Sequence, residues 1–410
     1  MEVLHPRCAG LDVHKRNVVA CVRIADGSDL LQQVRSFATT TTGLGELGAW
    51  LHEHSVTDVV MEATGVYWKP VWHMLDDGEL RLVLANARDV RNVPGRKTDV
   101  SDAVWLAELH AHGLVRASFV APQPIQELRD MTRTRKQLVR EISRHTQRVH
   151  KTLEDCNIKL SSVLTDVTGH SGRAILAAMM AGEDDPVKLA DLAVGKARKK
   201  HAELVEALRG RVRDHHRRLL HVHLNLIDAI QREIEEVDAA LGKALAPIQA
   251  KADRLTTIPG VSDLTARTIL AEIGDDMTRF PTPGHLLSWA GLVPRNDESA
   301  GKRRSTRLRK GAPWLKATLV QSAWAAASAK GTYLRSQFLR IRSKRGPKKA
   351  VVAVAASMLT AAFFILRDQV EYRDLGENHL ARRDARKVVE RLAHRIKELG
   401  YDVEVTKKAA

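Results

Sequence analysis

Cys8, Cys21 and Cys156 are the only three cysteines in 410 residues. They are too few and too scattered for a disulfide framework or a four-cysteine zinc site, which points to a reducing cytoplasm. The opening MEVLHPRCAG shows no signal peptide. The uncharged run from Ala350 to Leu366 is alanine-rich, includes Ser357 and Thr360, and falls short of the ~18 apolar residues a membrane-spanning helix needs. It reads as a buried helix, and no membrane partner is expected. Internal repeats and low-complexity tracts are absent. His215, His216, His221 and His223 crowd together, but no pair has the i, i+4 spacing that puts two ligands on one helix face, which argues against zinc.

What is present is a globular composition, 44% hydrophobic and 28% charged, in a chain long enough for about two or three domains. The net charge of +16 is uneven: residues 1–119 hold 12 Lys+Arg against 15 Asp+Glu, and the remainder holds 53 against 34. An acidic head is joined to a basic body. Such a body attracts polyanions, nucleic acid above all, with a pull that weakens as salt rises.

The first 120 residues alternate strand and helix patterns. Strands are predicted from Cys8 to Asp12, Val18 to Ile24, Leu30 to Ala38, Asp58 to Met61 and Arg81 to Ala85. Helices are predicted from Leu44 to His54, Tyr67 to Leu75, and about Val100 to His112, the last stopped by Gly113. This is an α/β sheet opened by a β meander. Residues 121–250 read as long antiparallel helices or a coiled coil, with Leu138, Ile142, Val149 and Leu153 at helical spacings and a glycine-rich break from Asp166 to Gly195. Residues 251–370 open with helix, tight turn, helix, continue through the polar loop PRNDESAGKRRSTRLRKGAP, and end in two alanine-rich helices. Residues 371–410 form a charged tail with ten basic and eight acidic residues.

Four carboxylates stand out by position. Asp12 in GLDVHK and Glu62 in VVMEATG each end an apolar strand, so both point into a shared crevice; Asp99 and Asp102 in KTDVSDA share one face of a helical turn. Carboxylates are the hard oxygen ligands that Mg²⁺ requires, and two ions about 4 Å apart suit in-line phosphodiester displacement. Two such acids ~5 Å apart repel by roughly 3 kcal/mol at an effective dielectric of 20, so dications and fold would be coupled. Each acid also has an ordinary reading. Asp99 can be an N-cap, Asp102 a first-turn acid favoured by the helix dipole, Glu62 an exposed turn residue, and Asp12 the start of a hairpin.

Downstream, Ser299 lies among eight Lys+Arg between Arg295 and Lys316. Guanidinium groups there would hold phosphate oxyanions, although a serine in a basic loop more commonly touches backbone phosphate alone. Lys302, Arg303, Arg304, Arg307, Arg309 and Lys310 of this loop are candidate nucleic-acid contacts. So are Arg340, Arg342, Lys344, Arg345, Lys348 and Lys349 in a stretch, Arg335 to Lys349, with seven basic residues and no acidic one. The turn IPGVS resembles a helix-hairpin-helix, which would put Gly260 against a phosphate; Ser262 stands where the second glycine is usual, and an ordinary helical turn is the alternative.

Taken together, GLDVHK, MEATGVYW, KTDVSDAVWLAEL and AGLVPRNDESAGK resemble the DEDD-type insertion-sequence transposases, a family that includes Piv-type DNA invertases and the bridge recombinases. The resemblance runs from Gly10 to about Leu366. It implies a RuvC-like (ribonuclease-H-like) α/β domain, then a helical coiled-coil region and a mostly α carboxy-terminal transposase domain. It implies that Asp12, Glu62, Asp99 and Asp102 hold two ions of Mg²⁺ or Mn²⁺, and that Ser299, with Ser305 a poorer fit, is a nucleophile forming a phosphoserine link to DNA. It further implies double-stranded donor and target DNA, a structured noncoding RNA that chooses them, a dimer or tetramer with composite active sites, and work at the nucleoid. The competing expectations are a Holliday-junction-resolvase-like endonuclease using the acids alone, an actin-like ATPase, for which DVHKRN lacks the phosphate-embracing turn, and a non-enzymatic nucleic-acid scaffold.

Overall fold

The computed structural model describes residues 2–27, 29–62, 65–85, 102–294, 297–299, 302–305, 307–308, 310–380 and 385–406, with backbone alone at 297–299, 302–304 and 385–388. Two compact units emerge, Met1–Val120 and Ala121–Ala410.

The first unit is a mixed five-stranded sheet with helices on both faces. Strands β1 (Arg7–Val13), β2 (Asn17–Asp26) and β3 (Asp29–Ala38) form an antiparallel meander; β4 (Asp58–Glu62) and β5 (Arg81–Ala85) add in parallel, giving the order β3-β2-β1-β4-β5. Side chains alternate across a strand, and the two faces divide accordingly. Ala9, Leu11, Val13, Val59 and Met61 join the core beneath α1 (Thr41–Glu53) and α2 (Trp68–Leu75). The opposite face, with Val60, Ala85 and Cys21, is covered by α3 (Asp102–Ala111) through Ala103, Leu106, Ala107 and Leu109.

Gly10 explains how closely α3 lies. A Cβ there would stand 2.2 Å from the Ala103 carbonyl oxygen and 2.5 Å from the Ala107 amide nitrogen, so the helix backbone rests directly on β1. The helix ends as its glycine signals. Gly113 has φ +68°, its N–H donates to the His110 carbonyl, and the Leu114 N–H donates to that of Leu109, a Schellman stop.

The second unit is mostly helical. Helices α4 (Gln123–Asp155) and, later, α8 (Asp214–Leu245) run antiparallel, as the pairs Arg135–Asp238, His145–His223 and Asp155–His216 fix. At about 1.5 Å per residue each is near 50 Å long. The glycine-rich break between them folds into its own short helices: α5 (His170–Met180), α6 (Pro186–Asp191) and α7 (His201–Ala207). They close over a core of Leu153, Ile158, Ile175, Met179, Leu204 and Leu220.

Beyond the hairpin follow α9 (Gln249–Thr256), α10 (Asp263–Ile273), α11 (Pro283–Ala290), α12 (Pro313–Ser328), α13 (Tyr333–Arg345), α14 (Pro347–Asp368) and the tail helix α15 (Ala385–Glu398). At 22 residues, helix α14 is long and apolar enough to cross a membrane, which corrects the expectation that its uncharged run is too short. Here it is a core element, burying Val354, Met358, Leu359, Ala362 and Phe363 against its neighbours.

The long hairpin is anchored to this bundle by ion pairs to a buried acid. Glu272 of α10 is fully buried and receives Arg133 of α4 bidentately, Nε–Oε1 at 2.8 Å and Nη2–Oε2 at 2.9 Å. Arg129 donates to the Glu272 carbonyl at 2.7 Å. Removing one partner of such a pair strands the other's charge, so Glu272→Ala is expected to destabilise this unit by about 3 kcal/mol, read as a lowered urea midpoint.

Candidate functional site

Asp12 and Glu62 are brought together by strand parity and register. β1 and β4 are parallel neighbours, with Gly10 opposite Val60 and Leu11 opposite Met61. Asp12 and Glu62 come next along each strand, about 4.8 Å apart in backbone spacing. Since Gly10 and Val60 face α3, so do the acids two residues on. Asp102 opens α3 one residue before Ala103, whose carbonyl abuts Gly10. α3 runs antiparallel to β1, because Ala107 also accepts the Cys8 thiol at 3.6 Å near the strand's start. Three acids thus issue from one end of one sheet face. Asp99 lies outside the described residues.

Around Asp12, His14 Nε2 approaches Oδ2 at 3.0 Å, and the His14 N–H donates to the Asn17 carbonyl, tightening the β1–β2 turn. Thr39 then pins that turn from β3's end: its hydroxyl donates to the Lys15 carbonyl and its N–H to that of Arg16. Lys15 and Arg16 are exposed beside the acids, where they could meet the phosphate backbone. Sequence reasoning passed over them, though a Lys-Arg pair directly after D-V-H was the available signal.

Among the described residues, groups of three ligand-type side chains within 4.8 Å occur elsewhere: His5, Asp58 and His110, and Asp155, His215 and His216. In the second group the His216 ring is already committed. Its Nδ1 accepts the Arg213 N–H at 3.1 Å, which leaves Nε2 as the donor toward Asp155 at 3.1 Å. It is a helix cap. In the first group, burial above all and then the neighbouring His5 charge push the His110 imidazole down to about 4.

Ser299 belongs to a hairpin, where a polar loop was expected. β6 (Asp297–Ser299) pairs antiparallel with β7 (Lys302–Ser305), Ser299 opposite Lys302 in the backbone register. A bridge between Pro294 and Leu308 closes its base. Lys302, Arg303 and Arg304 lie along β7; Arg307 and Lys310 follow, both exposed, and Arg309 lies outside the described residues.

The second basic stretch forms a corner. Gly346, at φ +80°, ends α13 and Pro347 starts α14, so Arg340, Arg342, Lys344 and Arg345 on one arm meet Lys348 and Lys349 on the other, all exposed. The IPGVS turn joins α9 to α10, with the Ser262 hydroxyl accepting the Thr265 N–H as an N-cap. Gly260, at φ +85°, lies against α12, where a Cβ would come within 2.5 Å of the Ser322 carbonyl oxygen. That gives it a packing role. The turn borders a cavity of about 400 Å³ whose walls include Arg133, Lys136 and Trp314.

Comparison with known proteins places these features. Residues 9–158, spanning all four acids, match a family described as transposase, the DEDD type of IS110; residues 252–339, spanning the Ser299 hairpin, match the transposase IS116/IS110/IS902 family. The chain is 36% identical over 122 residues to an uncharacterized 43.6 kDa protein of insertion element IS110 from Streptomyces coelicolor, covering 29% of each chain. It is 29% identical over 158 residues to the transposase for insertion sequence element IS1111A from Coxiella burnetii, 36% of this chain and 43% of that one. Both matches span less than half of those relatives' length. A pilin gene-inverting protein of Moraxella bovis is 22% identical over 370 residues, 87% of this chain and 95% of its own. With the two family matches covering more than half of its length between them, the chain belongs to the IS116/IS110/IS902 family of transposases.

Proposed function

We propose that the protein is the transposase of an insertion sequence, a site-specific recombinase that cuts and rejoins DNA strands. The observation that carries this reading is the placement of Asp12 and Glu62 at the ends of adjacent parallel strands, on the face covered by the helix that begins at Asp102. A meander feeding a parallel pair, with acids at the strand ends, is what a RuvC-like domain calls for.

The donor set is all carboxylate oxygen, which fits Mg²⁺ or Mn²⁺. Asp12, Glu62, Asp102 and Asp99 would hold two such ions, which when bound supply charge stabilisation for the attacking and leaving oxygens. The chain's own residues do the rest. The Ser299 oxygen forms a bond to the scissile phosphorus and gives its proton to solvent or a nearby base, while the DNA sugar oxygen leaves and takes up a proton. The phosphoserine ester keeps the bond energy, so attack by a second DNA hydroxyl rejoins strands and frees the serine. Arginines and lysines of β7 and of the α13–α14 corner hold the phosphate backbone without reading sequence. That division leaves target choice to a structured noncoding RNA, with composite sites in a dimer or tetramer acting at the nucleoid.

The test is strand exchange on a supercoiled plasmid bearing the element with its flanking DNA, using purified protein and RNA transcribed from that flank. Rejoined products are expected with Mg²⁺ and none after chelation. Nicking or hydrolysis without rejoining would establish the resolvase-like reading instead.

A further inference from the structure

The end of the sheet opposite the acids carries a second constellation. Asp58 opens β4, Arg81 opens β5, His5 precedes β1 and His110 sits in the last turn of α3. His5 Nδ1 lies 3.4 Å, and His110 Nε2 3.9 Å, from the same oxygen, Asp58 Oδ1. Donors held tetrahedrally on one ion at ~2.1 Å stand about 3.4 Å apart, so little movement separates this cluster from a coordination shell. The two rings lie 4.6 Å apart, and a turn of the partly exposed His5 ring brings its nitrogen to bear.

Two further observations point to a ligand. The His110 side chain is 3% exposed, and its Nε2 is buried with no hydrogen-bond partner among the described residues, a loss that native interiors seldom tolerate. Asp58 Oδ2 accepts the Thr57 hydroxyl at 2.8 Å, the kind of outer hydrogen bond that orients a ligating carboxylate. A cation is drawn to the place already: Arg81 bonds Asp58 Oδ1 and donates to the His5 ring at 2.9 Å, from a side chain 61% exposed and free to swing into water.

We infer that His5, Asp58 and His110 form a metal site separate from the acids at the other end of the sheet, taking a divalent ion of the Zn²⁺ class in exchange for the Arg81 guanidinium. Two imidazoles and a carboxylate suit Zn²⁺, whereas Mg²⁺ prefers oxygen throughout. β4 separates Asp58 from Glu62 by roughly 13 Å, so the two centres can be loaded independently. The site is structural. It fastens the segment before β1, where the Leu4 and His5 N–H groups both donate to the Ala111 carbonyl, and the end of α3 to the start of β4.

The experiment is a Co²⁺ titration of the chelator-treated full-length protein in excess Mg²⁺, followed by visible absorption. One equivalent of tetrahedral Co²⁺, bleached by Zn²⁺, is expected. His5→Ala and Asp58→Asn each weaken binding by about tenfold or more, Arg81→Gln tightens it, and Asp12→Asn leaves it unchanged. A wild-type protein giving only the pale octahedral spectrum overturns the inference, and needs no variant to fold. So does a tetrahedral band that survives both His5→Ala and Asp58→Asn, or that disappears with Asp12→Asn.

Discussion

Asp12→Asn will bind DNA and melt like the parent protein, yet cut strands about a thousandfold more slowly. The substitution preserves shape and removes one negative ligand. Losing about 4 kcal/mol of stabilisation for charge developing on the phosphate corresponds to that factor. The alternative role for Asp12, an ion pair with His14 at 3.0 Å, makes a different forecast. His14 is more than half exposed, and pairs of that kind contribute about 0–1 kcal/mol to stability and nothing to chemistry. Single-turnover cleavage with saturating Mg²⁺, beside a thermal melt, separates them: a normal rate with a small loss of stability would leave Asp12 as a turn residue.

Ser299→Ala is expected to erase the covalent protein–DNA adduct that denaturing gels would reveal in the parent, and with it recombination, while DNA affinity stays within about twofold because phosphate contacts come from other side chains. A nucleophile has no partial substitute, so the loss should be of the order of a thousandfold or more. Ser305→Ala serves as the control. Ser305 ends β7 and its hydroxyl accepts the Arg307 N–H at 3.2 Å, a turn contact whose loss should leave adduct formation intact. An Ser299→Ala protein that still cleaves but never rejoins would mean that water attacks the phosphate.

The strands of the first unit were legible because each is a short local run rich in β-branched and apolar residues, and the stop of α3 because Gly113 supplies a left-handed residue at a helix end. The adjacency of Asp12 and Glu62 follows from where their strands terminate once the pairing is known. What no local pattern disclosed was the crossing of α3 over β1. It depends on Gly10 meeting Ala103 and Ala107, three small residues that look unremarkable until their backbones touch. The Ser299 hairpin stayed hidden for another reason. Strands of three and four residues packed with charge have too few apolar positions to show a period. The helices α5–α7 were masked by glycines at 169, 182 and 195, which punctuate helix ends without preventing helices between them. His5, Asp58 and His110 come from three distant segments, so only the folded end of the sheet assembles them.

Gly10 has one more consequence. With no gap left between strand and helix, a single methyl at this position must wedge α3 away from the sheet, and the tip of the helix that moves is the one bearing Asp102. The smallest alteration the genetic code can make there would act as a crowbar on the helix, replacing no acid yet prising Asp102 away from the strand that carries Asp12.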